Sequence, residues 1–283
     1  MPDVAPLTLP ACAKLNLFLH VVGRRDDGYH LLQTLFQLVD LADEITLLPA
    51  PEGVLELTPD SDAPGGDQDL TLRAARALRE TAGVASGARI RLRKVIPAGG
   101  GLGGGSSDAA TVLLGLRRLW GVDLTLDDLA GVGAALGADV PVFVRGRTAW
   151  AEGVGEDLTP ISTAPGCYVL VVPDAHVETA RVFADPRLTR DTPISTMPAF
   201  FETGGRNDCT PVTRALHPEV DRALAWLGEF GEARMSGTGA SIFLRCDEIE
   251  DARRIAARVP APWQGLVTRS LEVSPTHVAL GLA

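Results

Sequence analysis

The first hundred residues alternate apolar and polar positions in several short segments. This period of two places successive side chains on opposite faces of a strand. A turn rich in glycine and aspartate at 23–28 and a segment rich in Asp, Gly and Pro at 59–67 predict connections between strands. The strands themselves are predicted at 13–22, 33–41, 43–48 and 88–96.

Apolar residues spaced by three and four positions predict helices in the same half of the chain. Gly83 follows the first of them as a helix-ending residue. The third has Asp127 and Asp128 in its first turn, where negative charge is favourable. The three helices are predicted at 70–82, 109–120 and 126–136.

Periodicity is weak between residues 153 and 166, where Gly, Pro, Ser and Thr are frequent. A chain of 283 residues suits two domains of ordinary size. We therefore predict an N-terminal domain at 1–160 and a C-terminal domain at 161–283. In the second half, strands are predicted at 168–172 and 266–273, helices at 220–230 and 248–259, and a strand–loop unit around Gly237.

Composition and charge narrow the class of protein. Apolar residues make up 46% of the chain, so a substantial core can form. The longest apolar runs are too short to cross a bilayer, and the N-terminus lacks the pattern of a secretory signal, so we expect a cytoplasmic protein. The net charge of −10 gives a nucleic-acid partner no overall electrostatic support.

Cysteine and histidine are too dispersed to predict a disulfide framework or a metal centre. The four cysteines form no Cys-x-x-Cys pair, and the five histidines show no His-x-x-x-His spacing. We therefore expect no metal site built from protein side chains alone.

Arginine carries almost all of the positive charge. Arg89, Arg91 and Arg93 alternate with apolar residues, which predicts the solvated face of a strand. Among the 26 basic residues only Lys14 and Lys94 are lysines. Because lysine presents a compact point charge and arginine a planar fork, these two positions suggest a chemical role.

The strongest signal is a run of glycines directly before an apolar helix. This glycine loop, residues 97–107, reads Pro97-Ala98-Gly99-Gly100-Gly101-Leu102-Gly103-Gly104-Gly105-Ser106-Ser107. Bare N–H groups at a helix N-terminus form a cradle for phosphate. The alternative is a mobile linker with a serine cap, but linkers seldom run straight into a strongly apolar helix. Ser106 and Ser107 could cap the helix, satisfy its free amides, or offer a hydroxyl to phosphate or Mg²⁺.

Two common phosphate-binding patterns fit this loop only in part. The Gly-x-Gly-x-x-Gly spacing at 99–104 matches a dinucleotide fingerprint, but that fingerprint follows a buried parallel strand. Here the preceding strand alternates with arginine, and Pro97 interrupts the approach. The glycine spacing at 100–105 matches Walker A, but Ser106 stands where that motif has lysine. The loop would therefore hold phosphate by its backbone, and the cation that phosphoryl transfer needs must come from elsewhere.

A proline followed by Gly-Leu-Gly and two serines resembles the galactokinase, homoserine, mevalonate and phosphomevalonate kinase superfamily. Within it, the chain resembles the 4-diphosphocytidyl-2-C-methyl-D-erythritol kinase family over essentially its whole length. Galactokinase's Gly-Glu-His signature is absent, and the extra glycines differ from the loops of mevalonate and homoserine kinases. The matching motifs, in order, are Ala13-Lys14-Leu15-Asn16-Leu17, Asp27-Gly28-Tyr29-His30, the glycine loop, Gly137-Ala138-Asp139-Val140-Pro141-Val142-Phe143 and Ser236-Gly237-Thr238-Gly239.

The resemblance implies an α+β enzyme with an N-terminal phosphate-loop domain, a C-terminal ferredoxin-like α/β sandwich and an active site between them. The implied reaction is ATP-dependent phosphorylation of the 2-hydroxyl of 4-diphosphocytidyl-2-C-methyl-D-erythritol, in isoprenoid precursor biosynthesis by the methylerythritol phosphate pathway. ATP is the co-substrate, and its chemistry implies Mg²⁺. The expected partner is a small molecule with a cytidine diphosphate group, with no nucleic acid or membrane, and the chain is expected to be a monomer or a homodimer.

The resemblance assigns catalytic roles to Lys14 and Asp139. Asp139 would accept the proton of the substrate hydroxyl, although an aspartate in this position could merely satisfy a turn. Lys14 would face Asp139 and the transferred phosphoryl group, where it offsets negative charge, although a lone lysine in a strand usually points to solvent. Lys94, three residues before Pro97, is predicted to bind ATP together with the glycine loop.

The resemblance places the cytidine at Tyr29 and His30, which could otherwise be ordinary surface residues. The histidine would hydrogen-bond the base, and the tyrosine would stack with an aromatic residue from the second domain. Phe183 is the candidate for that ring, with Thr179 nearby. Asn16 is predicted to contact the sugar-alcohol end of the substrate.

The loop at 236–239 matches a superfamily motif that braces the phosphate loop, although it could be a plain turn. Asp69 precedes Leu70 where the family commonly has Asn, which alters any contact of that side chain with adenine.

Two alternatives for the function stay open, a superfamily kinase with a different acceptor alcohol and a nucleotide-binding regulatory protein without turnover.

Overall fold

The computed structural model describes residues 5–59 and 69–283. The strands in these ranges are β1 Leu7–Arg24, β2 His30–Ala50, β3 Leu55–Pro59, β4 Gly87–Arg93, β5 Ala149–Glu152, β6 Asp157–Pro160, β7 Cys167–Val172, β8 Arg234–Met235, β9 Ile242–Cys246 and β10 Gln264–Leu271. The helices are α1 Leu70–Ala82, α2 Gly104–Trp120, α3 Leu126–Leu136, α4 Val140–Arg145, α5 Thr179–Ala184, α6 Met197–Thr203, α7 Thr210–Leu216, α8 Pro218–Gly228, α9 Ile249–Ala256 and α10 Pro275–Leu280. The loop predicted at 59–67 lies, beyond Pro59, outside the described residues.

A long antiparallel hairpin of β1 and β2 organises the first half of the molecule. The alternation predicts two strands at 33–48, but β2 runs unbroken through this segment. The register shifts here, because Cys12 pairs with Ala42 whereas Ala13 pairs with Val39. A bulge interrupts the alternation of side chains without ending the strand, which explains the apparent break in the pattern.

Strand β4 pairs with the second half of β2, and β3 lies parallel to β4. The predicted solvated face is confirmed, because the arginines of β4 are exposed and the residues between them are buried. The strand ends at Arg93, before the predicted end at residue 96. The reason is Asp43, whose carboxylate accepts the N–H groups of Val95 and Ile96 at 2.5 and 2.7 Å and so replaces the sheet partner.

The helices of the first half pack on one face of this sheet. The bounds of α1 and α3 agree with the prediction, and Gly83 ends α1 with a φ of 63°. Helix α2 begins at Gly104, five residues earlier than predicted, and no side chain caps it. The serine cap considered for this helix is therefore not formed. Helix α4 was not predicted by its pattern, because an apolar run of six residues has no readable period.

The second half contains an antiparallel sheet in the order β10-β7-β9-β8. Helices precede β8 and β10, so the chain order of strands and helices is that of a ferredoxin-like βαββαβ unit. Helices α8 and α9 pack on this sheet and share a core with it. The predicted α+β architecture with a ferredoxin-like second half is confirmed.

The two halves are joined through a shared core. Leu102 of the glycine loop is 1% exposed and packs with Leu15 of β1 and with Leu170 of β7. Strand β10 pairs with β2 at Ser270 and Leu271, and the segment that follows packs against the first core. The division at 160 stays a prediction. In the part of the chain that the structure describes, no helix is both long and apolar enough to span a membrane.

Candidate active site

The glycine loop wraps the N-terminus of α2 in a conformation that needs glycine. Gly99, Gly101 and Gly103 have φ values of 67°, 72° and 74°, in the left-handed region that side chains disfavour. At Gly101 a Cβ atom would lie 2.2 Å from the Ser236 carbonyl oxygen. Leu102 points the other way and anchors the loop in the shared core. The loop is therefore fixed in place, and the mobile-linker alternative is wrong.

The serine–glycine loop, residues 236–241, braces the glycine loop from the second half of the chain. The Ser236 hydroxyl donates to the Gly101 carbonyl at 2.8 Å and accepts the Asn16 N–H at 3.1 Å. The Ser241 N–H donates to the Gly100 carbonyl at 3.1 Å. These bonds join the two loops and β1, so the segment is more than a plain turn between strands.

A cavity of about 590 Å³, here called the loop cavity, lies beside the glycine loop. Ser106 lines it, whereas Ser107 is 1% exposed and faces the core. Asp69 also lines it, and its carboxylate accepts the Thr71 N–H at 2.7 Å as the cap of α1. The lining includes Lys94, Asp108, Thr179 and residues 97–106.

Lys94 is held between two buried carboxylates at the edge of this cavity. Its Nζ donates to Asp108 at 2.7 Å and to Asp43. Burial lowers the pKa of Lys94, but the charges and hydrogen bonds of Asp108 and Asp43 outweigh it and hold that pKa above its ordinary value. Burial raises the pKa of Asp108 to about 7, and the nearby Asp43 adds to this while Lys94 opposes it.

Lys14 and Asp139 form an ion pair at the centre of the molecule. The Lys14 Nζ lies 3.2 Å from Asp139 Oδ2, and the lysine side chain is 3% exposed against 33% for the aspartate. Nζ also donates to Asn16 Oδ1 at 2.5 Å and to the Gly101 carbonyl at 3.1 Å. The lysine is thus buried, and the solvent-facing alternative for it is wrong.

Asp139 precedes α4 and leaves the amides of that helix alone. It occupies the N-cap position, but its side chain makes no capping hydrogen bond. The turn-satisfying alternative therefore has no support in the structure. Its carboxylate lines a cavity of about 280 Å³, here called the central cavity, together with Lys14 and Asn16.

Both ends of the Asn16 side-chain amide are hydrogen-bonded inside the central cavity. Its Oδ1 accepts from Lys14, and its Nδ2 donates to Thr34 Oγ1 at 2.9 Å. In the structure it orients the lysine, while its predicted contact with the sugar-alcohol end stays a prediction.

A third cavity, of about 640 Å³ and here called the outer cavity, is lined by the residues that are predicted to contact the cytosine base. Tyr29, His30, Thr179 and Phe183 line it. Tyr29 is 65% exposed. The ring that stacks on Phe183 is that of His30, with centroids 5.1 Å apart and planes at 28°. The pairing of Tyr29 with Phe183 around a base stays a prediction.

The three cavities adjoin through shared residues. Ser106 and Gly101 line both the loop cavity and the central cavity, and Phe183 lines both the central and the outer cavity. Thr179 lines all three, and its hydroxyl is 3.0 Å from that of Thr238 in the serine–glycine loop. One groove therefore runs from the glycine loop, past Lys14 and Asp139, to the stacked rings of His30 and Phe183.

Sequence reasoning missed Asp43 and Asp108, the two partners of Lys94. Asp108 directly follows the two serines of the glycine loop, so its place in a recognised motif was a usable signal. Asp43 lies in β2, 51 residues before Lys94, and no sequence spacing indicated that the two would meet. Among the described residues, no three His, Cys, Asp or Glu side chains cluster in a way that could hold a metal ion.

Comparison with known families gives two matches. The model of the GHMP kinases N terminal domain matches residues 69–147, and the model of the GHMP kinases C terminal domain matches residues 197–265. Together they cover just over half of the chain, and they lie on either side of the predicted boundary at 160.

Individual proteins are similar over nearly the whole chain. The 4-diphosphocytidyl-2-C-methyl-D-erythritol kinase of Alcanivorax borkumensis is 50% identical, over 98% of this chain and 95% of that protein. The enzyme of the same name from Alkalilimnicola ehrlichii is 54% identical, over 94% of this chain and 91% of that protein. A crystal structure of a 4-(cytidine 5'-diphospho)-2C-methyl-D-erythritol kinase matches with a TM-score of 0.83 at 35% identity, covering 93% of this chain and 99% of that one.

Proposed function

Because the chain belongs to the GHMP kinase family, in the group of the 4-diphosphocytidyl-2-C-methyl-D-erythritol kinases, we propose that it transfers the γ-phosphoryl group of ATP to the 2-hydroxyl of 4-diphosphocytidyl-2-C-methyl-D-erythritol. The resemblance drawn from the sequence motifs is thereby confirmed. The chain is an ATP-dependent small-molecule kinase of isoprenoid precursor biosynthesis. The main structural support for this reaction is the Lys14–Asp139 ion pair, which lies between the glycine loop and the outer cavity.

The loop cavity suits the phosphates of ATP. The first amides of α2 have no partner within the helix, and the positive end of the helix dipole favours anions. The glycines around 99–105 let phosphate oxygens approach the backbone closely. Lys94 lies at the edge of the cavity, where Asp43 and Asp108 hold its Nζ beside the site for the nucleotide.

The central cavity suits the chemical step. An acceptor hydroxyl in this cavity would lie beside Asp139, whose carboxylate takes up the proton as the hydroxyl oxygen attacks the γ-phosphorus. The bond between the γ-phosphorus and the β–γ bridging oxygen breaks, and ADP leaves with that oxygen. Lys14 stabilises the negative charge that develops on the transferred group. Its three N–H groups are directed at Asn16, Gly101 and Asp139, so the cation is already in place before substrate arrives.

The outer cavity suits a nucleobase. Aromatic rings at Tyr29 and Phe183 offer faces for stacking, and His30 offers a polar group for the edge of the base. The outer cavity and the loop cavity lie at opposite ends of one groove, with the central cavity between them. ATP and a cytidine diphosphate compound could therefore bind at the two ends at the same time.

The oxygen donors in the groove fit Mg²⁺. Mg²⁺ keeps several waters and takes one or two protein ligands beside the phosphates, so no protein-built cluster is needed. Ser106 lines both the loop cavity and the central cavity, and its hydroxyl would offer a ligand to the ion beside the phosphates. When bound with ATP, Mg²⁺ offsets the charge of the phosphate oxygens. We place the reaction in the cytoplasm, where ATP is available, and the monomer or homodimer stays a prediction.

A panel of acceptors tests this function. ADP release would be measured with the cytidine compound, methylerythritol 4-phosphate, mevalonate, homoserine and galactose, each with ATP and Mg²⁺. We expect turnover with the cytidine compound, and loss of that turnover in Asp139→Asn. Faster turnover with another alcohol would favour a different acceptor. ATP binding without ADP release for any acceptor would favour a regulatory protein.

A further inference from the structure

Arg190 lies behind the outer cavity and makes four hydrogen bonds there. It belongs to the segment between α5 and α6 and does not line the cavity itself. Its guanidinium donates to His30 Nε2 at 3.1 Å and to the carbonyls of Phe183, Asp185 and Leu188 at 2.9, 2.8 and 3.0 Å. Four of the five N–H groups of this arginine are therefore in use.

These bonds connect the two walls of the outer cavity. Phe183 belongs to α5 in the second half of the chain, and His30 begins β2 in the first half. Their rings stack with centroids 5.1 Å apart. The Nη2 group of Arg190 donates to the Phe183 carbonyl in α5 and to the Asp185 carbonyl just after it, while its Nε donates to His30. Arg190 therefore holds the backbone that carries one ring and the other ring directly.

The same contact decides where the proton of His30 resides. A guanidinium has only donors, so the nitrogen that it contacts, Nε2, must be the acceptor and carry no hydrogen. A neutral imidazole with a bare Nε2 carries its hydrogen on Nδ1. Arg190 therefore selects one of the two tautomers and leaves Nδ1–H as the donor of the ring.

The charges around His30 favour this neutral form. Burial lowers the pKa of His30, and the positive charges of Arg190 and Arg24 lower it further. Asp27, on the turn before the histidine, lines the same cavity and is the one acidic side chain among the described residues lining it. The ring is thus expected to stay neutral at physiological pH.

We propose that Arg190 is a positioning residue that makes His30 a fixed hydrogen-bond donor, and that this donor selects cytosine over uracil in the acceptor substrate. The inference rests on the proposed function, in which His30 contacts the base. Cytosine presents acceptors at N3 and O2, whereas N3 of uracil carries a hydrogen. O2 is an acceptor in both bases, so the selection depends on N3. A donor held toward N3 matches cytosine and opposes the N3–H of uracil.

The test compares Arg190→Met with Arg187→Gln. Arg187 lies on the same segment and pairs only with the Asp185 side chain among the described contacts, at 2.7 Å, so it controls for the loss of one arginine. The first measurement is the ¹⁵N NMR spectrum of His30 in the ligand-free protein across pH. We expect the Nδ1–H tautomer in the wild type and in Arg187→Gln. In Arg190→Met we expect the Nε2–H tautomer to appear and the pKa to rise toward about 6.5.

The second measurement is KM for the cytidine substrate and for its uridine counterpart. In Arg190→Met we expect KM for the cytidine compound to rise about tenfold, with KM for ATP nearly constant and the preference for cytosine reduced. Arg190→Lys keeps the charge but lacks the planar fork, so its KM values and its preference for cytosine should lie between those of the wild type and Arg190→Met. It also provides a folded variant if Arg190→Met is unstable.

The outcomes separate the two claims. An unchanged His30 tautomer and pKa in both Arg190 variants would overturn this inference alone. An equal rise in KM for the cytidine and uridine compounds would also overturn it, because a merely structural role predicts that result. If the wild type does not phosphorylate the cytidine compound at all, the proposed function fails and the selectivity claim fails with it.

Discussion

Lys14 and Asp139 both line the groove and approach to 3.2 Å, but the lysine side chain is almost fully buried whereas the aspartate is accessible to solvent. The lysine is locked by Asn16 and by the carbonyl of Gly101, so its charge has a fixed position. The aspartate is one-third exposed and makes no capping bond to the helix behind it. This division between a rigid cation and an accessible carboxylate is what a phosphoryl acceptor needs, and it allows the two residues to be tested separately.

Replacement of Asp139 by Asn should remove the proton acceptor with little effect on the fold. Because its side chain caps no helix, we expect a folded protein with a nearly unchanged KM for ATP. Loss of the negative charge beside the buried Lys14 should lower the thermal unfolding midpoint. We expect kcat to fall by roughly 10²–10⁴, the usual range for the loss of a general base. Steady-state kinetics would measure this. A loss below about tenfold, or roughly 1.4 kcal/mol, would remove Asp139 from the chemistry.

Replacement of Lys14 by Arg should not preserve activity. Three acceptors surround one ammonium in a buried site, and a longer planar fork cannot meet them with the same geometry. We expect kcat to drop about 100-fold or more in Lys14→Arg, close to the drop in Lys14→Met, which serves as the variant without charge. Near-native turnover in Lys14→Arg would show that diffuse positive charge is sufficient.

Replacement of Gly101 by Ala should displace the glycine loop. The new Cβ would lie 2.2 Å from the Ser236 carbonyl oxygen at a φ of 72°, and strain of this kind costs about 1–3 kcal/mol. We expect kcat/KM for ATP to fall at least about tenfold. The control is Gly131→Ala on α3, where a Cβ meets nothing within 4 Å, and which should stabilise the fold by about 0.5–1 kcal/mol. Equal behaviour of the two variants would contradict the bracing of the loop by Ser236.

The sequence predicted the elements whose signals are local. Helices α1 and α3 were predicted to the residue, since their apolar spacing and end signals lie within the segment itself. The start of α2 was missed because the glycines that begin it have low helix propensity, and only the packing of Leu102 and the serine–glycine loop fixes them there. Short helices such as α4 carry too few residues to show a period.

The candidate site divides in the same way. Its candidate catalytic pair, Lys14 and Asp139, and its glycine loop could be named because they lie in contiguous motifs. The partners that hold them could not, because Asp43, Ser236 and Arg190 act across long sequence separations. The stacking of His30 on Phe183 likewise depends on how the two halves dock, which no pattern of spacing contains.

The cluster of Lys94, Asp43 and Asp108 should make stability depend on pH. Burial raises the pKa of Asp108 from 3.8 to about 7, so the folded state binds more protons than the unfolded state between these values. Stability contributed by Asp108 should therefore decrease as pH rises from about 4 to about 7. Between pH 5 and pH 8 we expect Asp108→Asn to reduce this decrease by about 1–3 kcal/mol. Urea unfolding of both proteins at pH 5 and pH 8 measures the change in unfolding free energy between the two pH values. An equal change in the wild type and in Asp108→Asn would contradict the raised pKa of Asp108.

The aromatic residues of the outer cavity should determine affinity for the cytidine substrate. Base–aromatic stacking contributes about 1–3 kcal/mol per base by alanine substitution. Tyr29→Ala and Phe183→Ala should therefore each raise KM for the cytidine compound about 5- to 150-fold. KM for ATP should stay nearly constant in both, because the glycine loop lies at the other end of the groove.

Each of these two variants requires its own control, because the structure treats the two rings differently. Tyr29 is 65% exposed, so its removal should leave stability unchanged, whereas Phe183 stacks on His30 and its removal should lower the unfolding midpoint as well. Phe201→Ala removes an aromatic ring that is 57% exposed and lies outside the outer cavity, and it should change neither KM. Methylerythritol 4-phosphate and mevalonate present no base and should be very poor acceptors for the wild type. If either is phosphorylated as efficiently as the cytidine compound, or if Phe201→Ala raises KM as much as Tyr29→Ala, stacking does not select the substrate. Assignment to the kinase family would survive that result, since it depends on the two family models and on similarity to relatives over nearly the whole chain.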